Sequence, residues 1–500
     1  MLIYNLRASP DPYDFCITIV IMSRTSLPKD FLWGFATASY QVEGAPAEDA
    51  RGDSIWDVFC RIPGKIAGNE NGDIACDSYH RYKEDVKLLK DMGARAYRFS
   101  ISWSRVIPLG GREDPVNQKG LQYYIDLVDE LLANGIEPMV TLFHWDLPQG
   151  LERYGGLLNK EEFVADYAQY SRIVFQALGD KVKYWVTFNE PWCSSILGYN
   201  EGVFAPGRTS NRSKSSVGDS STEPWLVGHN LLIAHGAAVK IYREEFKPTQ
   251  KGQIGITLNG DWVEPWDPED PKDIEACQRK LEFAISWFGD VVYFGDYPES
   301  MRKQLGDRLP RFTPEEKDLV QGSNDFYGMN HYCANYIKHR SGEPEPEDYL
   351  GNLESLLVNK EGQEIGPVTQ SPWLRPHAVG FRKLLKWISD RYGRPAIYVT
   401  ENGTSLKGEN DLSKEEILED DFRVWYFKEY VTAMAEAYTH DDVDVRGYMA
   451  WSLMDNFEWA EGFETRFGVT FVDYHNGQQR FPKKSAKAMK GLFDSLMRES

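Results

Sequence analysis

Tyr184-Trp185-Val186-Thr187-Phe188-Asn189-Glu190-Pro191 is an apolar, β-branched run that stops at an amide, a carboxylate and a proline. The run up to Phe188 predicts a short buried strand. Because Pro191 has no N–H to give to a sheet, we expect the chain to turn directly after Glu190. A carboxylate at a strand tip, backed by apolar packing, is a candidate for acid–base chemistry; the alternative is a solvated loop residue.

Similar runs recur along the chain and alternate with segments of helical spacing. The strand-like runs lie at 32–38, 96–101, 137–143, 183–188, 254–258, 325–330, 397–400 and 446–452. Strands that alternate with helices pair in parallel, with the helices outside. Eight such units are what a closed barrel requires. We therefore predict an α/β fold, a single (β/α)8 TIM barrel over residues 22–500, with long loops such as 207–222 and 340–370 at its C-terminal face.

Composition and charge narrow the classes of partner and substrate that suit the chain. The 500 residues carry a formal net charge of −20, and Trp, Tyr and Phe make up 13% of them. A strongly acidic chain repels nucleic acid and anionic membrane surfaces, so neither is expected as a partner. An uncharged small-molecule substrate fits better, and aromatic rings can serve it as stacking platforms. No feature of the sequence predicts an oligomeric state.

The cysteines and the N-terminus indicate the compartment. The six cysteines are scattered and form no C-x-x-C pair, which predicts free thiols, no metal site and no disulfide framework. The apolar run 15–22 lacks a preceding basic region and is too short to span a membrane. Residues 1–21 are therefore predicted to be an extension with little structure or a start-site artefact. A cytoplasmic location is expected, and no cofactor.

Polar and aromatic residues cluster where the strand-like runs end. In a barrel of this kind those ends form the catalytic face. Glu190 and Glu401 follow the fourth and seventh runs, so a closed barrel would aim both into one cavity. Paired carboxylates are what glycoside cleavage needs, since one protonates the leaving oxygen and the other attacks the anomeric carbon. The amides, His144 and the tryptophans nearby suit sugar hydroxyls and the C–H face of a sugar ring.

Three separated motifs carry a family resemblance. They are Thr187-Phe188-Asn189-Glu190-Pro191, Tyr398-Val399-Thr400-Glu401-Asn402-Gly403, and the N-terminal segment 31–44 that begins Phe31-Leu32-Trp33-Gly34. Together they resemble glycoside hydrolase family 1, the retaining β-glucosidases, from about residue 28 to 493. The intracellular fungal members are the most similar.

The resemblance implies a role for each matching residue. Glu190 would be the acid/base and Glu401 the nucleophile, with Arg98 and Tyr332 contacting the nucleophile's carboxylate. Trp451 would give the sugar a stacking floor, and Trp373 would lie at the mouth against the leaving group. The full set implied to bind substrate is Gln41, His144, Trp145, Asn189, Asn330, Trp373, Trp451, Glu458, Trp459 and Phe467.

The resemblance also implies the reaction. A retaining, exo-acting β-glucosidase would remove terminal β-D-glucosyl residues from cellobiose, short cello-oligosaccharides and aryl or alkyl β-glucosides through a covalent glucosyl-enzyme, with transglycosylation as a side reaction. Such an enzyme would serve carbohydrate metabolism and cellulose degradation. The alternative is a non-catalytic sugar-binding member, which would be expected to lack one glutamate. A 6-phosphoglycosidase is disfavoured because Glu458 would repel a phosphate, and a myrosinase because those relatives replace the acid/base with Gln.

Overall fold

Strands and helices alternate around one closed barrel in the computed structural model, which describes residues 26–497. Within that part of the chain the strands are β1 (Leu32–Ala36), β2 (Ala96–Ser100), β3 (Glu137–Phe143), β4 (Tyr184–Asn189), β5 (Gln253–Asn259), β6 (Trp262–Pro265), β7 (Tyr327–Asn330), β8 (Ala334–His339), β9 (Leu353–Leu356), β10 (Ile397–Asn402), β11 (Val445–Trp451), β12 (Thr470–Asp473) and β13 (Gln479–Pro482). Strands β1, β2, β3, β4, β5, β7, β10 and β11 pair in parallel and close in that order. The predicted α/β class and (β/α)8 barrel are confirmed.

Helices cover the outside of the barrel. In the same part of the chain they are α1 (Ser39–Val42), α2 (Ile55–Cys60), α3 (Ser78–Asp91), α4 (Trp103–Val106), α5 (Gln118–Ala133), α6 (Lys160–Leu178), α7 (Pro191–Tyr199), α8 (Glu223–Ile241), α9 (Lys247–Gln250), α10 (Pro271–Leu281), α11 (Trp287–Phe294), α12 (Glu299–Leu305), α13 (Pro314–Val320), α14 (Ala378–Arg391), α15 (Lys414–Glu419), α16 (Asp421–His440) and α17 (Lys484–Leu496). Single π-helical turns at Tyr242–Phe246 and Glu282–Ser286 extend α8 and α10.

Local chemistry sets the helix ends. Helix α6 begins after Asn159, whose side chain accepts a hydrogen bond from the N–H of Glu162. Gly93 and Gly135 follow α3 and α5 with φ of +74° and +73°, the left-handed conformation that lets a helix stop before the next strand. Short, well-defined turns of this kind return each helix to the barrel and keep the strand order sequential.

Several sequence-based boundaries were wrong. The first strand ends at Ala36 instead of residue 38, because the chain turns there into α1. The predicted loop 340–370 contains β9, which pairs antiparallel with β8; β8 in turn pairs with β6. These short strands lie outside the barrel and form a small sheet beside its mouth. Helix α10 begins at Pro271, since Asp270 caps it and proline suits the first turn.

The barrel positions a polar face above an apolar core. Trp185, Val186 and Phe188 of β4 are fully buried, whereas the strand's last residue, Asn189, is polar. No helix within residues 26–497 is long and apolar enough to cross a membrane. The prediction for residues 1–21 falls outside the described residues and stays a prediction.

Candidate active site

The C-terminal ends of the barrel strands bring the predicted residues together. Arg98 lies in β2, Asn330 ends β7, Glu401 lies near the end of β10, and Trp451 ends β11. Glu190 directly follows β4 in the left-handed conformation, with φ of 46°. A non-glycine residue held there stores strain on the order of 1–3 kcal/mol, and such residues concentrate at functional sites.

Glu401 is held by two donors of different kinds. Arg98 Nη1 donates to Glu401 Oε1 at 2.5 Å, and the Tyr332 hydroxyl donates to Oε2 at 2.7 Å. Arg98 is fully buried, so its guanidinium acts on Glu401 in a poorly screened environment. Charge-assisted hydrogen bonds of this geometry favour the ionised form of a carboxyl group. Glu401 is therefore set up as a carboxylate with a fixed direction.

Asn189 links the two carboxyl groups through its side chain. Its Oδ1 accepts from Arg98 Nη2 at 2.5 Å and from Asn330 Nδ2 at 3.1 Å, while Asn330 Nδ2 also donates to Glu190 Oε1 at 2.6 Å. A continuous series of hydrogen bonds thus runs from Glu401 to Glu190 across the barrel. Such a network restrains both carboxyl groups, because each donor has its other hydrogen bond fixed elsewhere.

Glu190 accepts hydrogen bonds from neutral donors, and unlike Glu401 it has no charged donor within residues 26–497. Burial, followed by the negative charge of Glu401, raises the pKa of Glu190 to about 8. Hydrogen bonds from Cys193 and Asn330 and the charge of Arg98 oppose that shift only in part. Glu190 is thereby able to hold a proton near neutral pH, which distinguishes it from the second carboxyl group in the cavity.

Polar groups of the loop after β11 face Gln41. Gln41 Nε2 donates to Asn456 Oδ1 at 3.0 Å and lies 3.4 Å from Glu458 Oε2. Burial and the charges of Glu461, Glu401 and Glu190 raise the pKa of Glu458 well above its usual value. Gln41 Oε1 and His144 Nδ1 are buried and have no hydrogen-bond partner among the described residues. Buried polar atoms of this kind need a partner, and a polyhydroxylated ligand supplies one.

Aromatic rings surround the same space. The His144 ring lies parallel to those of Trp451 and Trp459, with centroids 6.0 and 5.9 Å away. Burial, reinforced by Arg98, lowers the pKa of His144 well below its usual value, so the imidazole is neutral. Trp145 packs against Trp459 and donates from Nε1 to the carbonyl of Asn189 at 2.9 Å. Trp145 therefore supports the strand tip that carries Asn189.

Two further aromatic residues lie on Tyr332 at the mouth. Phe467 is buried with its ring centroid 6.0 Å from that of Tyr332, and Trp373 meets the same ring edge-on at 5.9 Å. Trp373 is 46% exposed, the value expected of a residue at the rim rather than in the core. Its indole Nε1 donates to Glu461 Oε1 at 3.3 Å, which ties the loop that carries Trp373 to the loop after β11.

With the geometry established, comparison with known proteins decides the family. The sequence pattern of glycosyl hydrolase family 1 matches residues 23–496. The chain belongs to glycosyl hydrolase family 1. The family covers the whole barrel and both glutamate motifs, and the predicted recognition is confirmed.

Characterised relatives span nearly the entire chain. Beta-glucosidase 1B of Phanerodontia chrysosporium is 56% identical over 475 residues, 95% of this chain and 87% of that protein. The crystal structure of a family 1 β-glucosidase from the fungus Humicola insolens in complex with glucose is 70% identical, has a TM-score of 0.94, and covers 95% of this chain and 100% of the other. A rice β-glucosidase, a Glu-to-Gln mutant in a covalent complex with Glc, is 44% identical with a TM-score of 0.91, over 93% and 98% of the two chains. The predicted enzyme class, β-glucosidase, is confirmed.

Sequence reasoning missed several residues of this family 1 site. Cys193 donates from Sγ to Glu190 Oε2 at 2.9 Å, and its spacing of three residues after Glu190 was the only signal. Thr141 accepts from Arg98 Nε at 3.0 Å, and Glu461 anchors Trp373. Contacts between neighbouring strands, as at Thr141, or between distant loops, as at Glu461, leave no local pattern in the sequence, so neither residue could have been found there.

Proposed function

We propose that this enzyme removes terminal, non-reducing β-D-glucosyl residues with retention of configuration, through a covalent glucosyl-enzyme on Glu401. The observation that carries the proposal is the unequal treatment of the two carboxyl groups. Glu401 accepts from a buried guanidinium and a phenol, whereas Glu190 is buried among neutral donors beside the charge of Glu401. Retaining hydrolysis needs one ionised nucleophile and one protonated acid at the same moment.

In the first half-reaction Glu190 gives its proton to the glycosidic oxygen while Glu401 attacks the anomeric carbon. The C–O bond to the leaving group breaks, and a glucosyl ester forms on Glu401. Arg98 and Tyr332 release part of their hold on the carboxylate as its charge is used in the new bond. The rice relative in a covalent complex with Glc supports an intermediate of this kind.

In the second half-reaction Glu190 acts as a base. Once Glu401 is esterified, its charge no longer raises the pKa of Glu190, which then becomes a carboxylate able to take a proton from water. The water oxygen attacks the anomeric carbon, and the ester bond to Glu401 breaks. A sugar hydroxyl in place of water gives transglycosylation by the same steps.

The sugar itself is proposed to bind between the polar loop and the rings. Gln41, Glu458 and His144 would meet its hydroxyls, and Trp451 would lie under its apolar face. Asn189 would contact the hydroxyl next to the anomeric carbon while its Oδ1 stays with Arg98. The glucose complex of the Humicola relative supports glucose as the bound sugar.

A cleft beside Trp373 supports saccharides as leaving groups. Its volume is about 550 Å³, and its lining combines the aromatic rings of Trp192, Tyr349 and Trp373 with the polar side chains of Asp261, Lys280 and Asn335. Rings alternating with hydrogen-bonding groups suit a second sugar better than a plain alkyl chain. Cellobiose and short cello-oligosaccharides are therefore proposed as substrates beside aryl β-glucosides, which would place the enzyme in cellulose breakdown.

The compartment and the chain start are proposed on sequence grounds alone. The sequon at Asn402 adjoins Glu401, where a glycan would block the site. We propose a cytoplasmic enzyme whose folded domain starts near residue 22. N-terminal mass spectrometry of the native protein tests where the chain starts, and cell fractionation tests the compartment.

The release of nitrophenol from 4-nitrophenyl β-D-glucoside tests the roles of the two glutamates. Glu401→Gly should abolish hydrolysis, and azide should restore product formation by acting as the missing nucleophile. Glu190→Gln should lower kcat by about 10²- to 10⁴-fold, the usual contribution of general acid–base catalysis. Full activity in either variant would rule out the assignment.

Glu137→Gln is the matched control for these variants. Glu137 is the first residue of β3, at the opposite end of the barrel, and is only partly buried. Its substitution makes the same chemical change and should leave kcat at the native value. A non-catalytic sugar-binding protein, the alternative function, would give no nitrophenol release even with the native chain while still binding glucose.

A further inference from the structure

The two oxygens of the Glu190 carboxyl group have different partners. Oε1 accepts from Asn330 Nδ2 at 2.6 Å, and Oε2 accepts from the Cys193 thiol at 2.9 Å. The proposed function requires Glu190 to gain and lose a proton in every turnover. The two partners therefore differ in importance according to whether each can hydrogen-bond to Glu190 in both of its protonation states.

Asn330 can only donate to Glu190. The Asn330 Oδ1 accepts from the Thr400 hydroxyl at 2.7 Å, which fixes the amide so that its nitrogen faces Glu190. An amide nitrogen has no lone pair to offer, so Oε1 faces a permanent donor in both protonation states. The proton of Glu190 is then carried by Oε2, the oxygen that faces Cys193.

Cys193 can serve both states because a thiol both donates and accepts weakly. Burial and the neighbouring charge of Glu190 raise the pKa of Cys193 well above its usual value, so the sulfur keeps its proton. Rotation about the Cβ–Sγ bond turns the S–H group toward or away from Oε2 at small cost. A methyl group at this position has neither ability, and an amide could change from donor to acceptor only by turning its whole head group over.

The backbone holds Cys193 in place. Pro191 starts α7, and the N–H of Cys193 donates to the carbonyl of Glu190 at 2.9 Å across the first turn. Glu190 itself lies in the left-handed conformation directly before the helix, and its side chain contacts the first turn through Cys193. The side chain of Cys193 is 8% exposed, so water does not compete for Oε2 from that side.

We propose that Cys193 is a positioning residue for the acid/base, its thiol holding Oε2 of Glu190 in both half-reactions. The inference rests on the proposed function of Glu190. While Glu190 is protonated, its O–H on Oε2 points to the thiol sulfur until substrate arrives. When that proton passes to the leaving oxygen, the S–H group turns and donates to the new carboxylate. Water later returns a proton to Oε2, and the thiol ends each turnover unchanged.

Other charged and titratable groups also face this pair. They are Glu401, Arg98, Tyr332, Asp261 and Glu458, which act on Glu190 or Cys193 from other strands of the barrel and the loops that follow them. A substitution at Cys193 leaves all of them in place. A change in the pH dependence of such a variant is therefore caused by the loss of the thiol contact.

The pH profile of kcat/KM for 4-nitrophenyl β-D-glucoside tests the proposal in three variants. Cys193→Ala and Cys193→Val lack the donor, so ionised Glu190 loses a partner, and the basic limb should move upward by about half a pH unit or more. Cys193→Ser keeps a donor and acceptor, and its basic limb should stay at or below the native position. Two variants without a donor, whose side chains differ in volume, are used so that the test still works if one of them fails to fold.

A substrate with a good leaving group isolates the second half-reaction. With 2,4-dinitrophenyl β-D-glucoside the first step needs no acid, so turnover reports how well Glu190 acts as a base. Cys193→Ala should move the acidic limb of kcat upward and lower kcat several-fold on that limb, where Glu190 of the glucosyl-enzyme is only partly ionised, and Cys193→Ser should restore it. Cys277→Ala, which removes a thiol from α10, is the matched control and should behave as the native enzyme.

Native pH profiles in both Cys193→Ala and Cys193→Val would overturn the inference, as would an upward shift in Cys193→Ser equal to that of Cys193→Ala. The proposed function fails separately, if Glu190→Gln keeps native activity. A Glu190→Gln variant without activity, together with unshifted Cys193 variants, would leave Glu190 as the acid/base and remove only the role of Cys193.

Discussion

Glu190 and Glu401 are the same amino acid in one cavity, and the partners of each decide what it can do. Arg98 and Tyr332 give Glu401 hydrogen bonds that favour its charge, and the charge of Glu401 in turn favours the proton on Glu190. The Coulomb energy between two charges in a poorly polarisable interior is several kcal/mol, so the second ionisation is strongly opposed. One carboxyl group thereby sets the protonation of the other.

The pH dependence of hydrolysis follows from the raised pKa of Glu190. Glu190 must be protonated in the first half-reaction, and its pKa is raised to about 8 by burial and by Glu401. The kcat/KM for 4-nitrophenyl β-D-glucoside should therefore fall as pH rises through about 8. The same parameter for 2,4-dinitrophenyl β-D-glucoside, whose leaving group needs no proton, should fall much less. Identical basic limbs for the two substrates would contradict the prediction.

The same shift makes Glu190 a cost to stability. The unfolded chain ionises Glu190 near 4.5 and the folded chain near 8, so the folded state loses stability as pH rises between those values. At pH 7 the loss is on the order of 3 kcal/mol, from 1.36 kcal/mol per unit of pKa. Glu190→Gln should raise the unfolding temperature at pH 8, and the gain should vanish by pH 4. A pH-independent gain would point to packing instead.

At the scale of elements, the loop after β11 is anchored by buried ion pairs. Lys483 Nζ lies 2.7 Å from Glu409 Oε1 and 3.0 Å from Asp455 Oδ1, and Lys483 is completely buried. Burial alone would raise the pKa of Glu409, but Arg423 and Lys483 outweigh it and lower the pKa to about 2. Asp455 is three residues before Glu458, so this cluster fixes the start of the loop that carries Glu458 and Trp459.

Lys483→Met should therefore affect both stability and sugar binding. Removing one partner of a buried ion pair costs about 3–5 kcal/mol, because the remaining charges stay buried. The displaced loop should also raise KM for the glucoside. Lys484→Met is the matched control: Lys484 is exposed and pairs with exposed Asp421, so its loss should cost about 0–1 kcal/mol. Urea unfolding and KM measurements on both variants check this prediction. Equal losses of unfolding free energy in the two variants would contradict it.

The elements differ in how far the sequence predicts them. Barrel strands such as β4 are buried on both faces and give apolar runs, which a parallel sheet requires. Strands β8 and β9 are only partly buried and give no continuous apolar run, and their pairing within the small sheet with β6 makes them strands. The pairing of Glu190 with Glu401 could be predicted because both lie where barrel strands end on the same face. The contact of Glu461 with Trp373 could not, because it depends on two loops far apart in sequence.

At the scale of the whole molecule, barrel closure makes one site from distant segments. Glu190 and Glu401 are separated by more than two hundred residues, yet β4 and β10 belong to the same closed sheet and open at the same end. The chain as a whole is strongly acidic, with a formal net charge of −20. Anionic substrates are repelled by such a field, which agrees with the proposal of neutral glucosides.

Retention of configuration tests the arrangement of the whole barrel. The outcome depends on which face of the bound sugar lies toward Glu401 and which lies toward Glu190. If Glu401 attacks from one face and water later displaces it from the same side as Glu190, the first glucose released is the β-anomer. Proton NMR of 4-nitrophenyl β-D-glucoside hydrolysis should show the β-anomeric signal first, with the α-signal growing at the slower rate of mutarotation. An α-signal that appears first would mean direct displacement by water, and Glu401 would then be a base instead of a nucleophile.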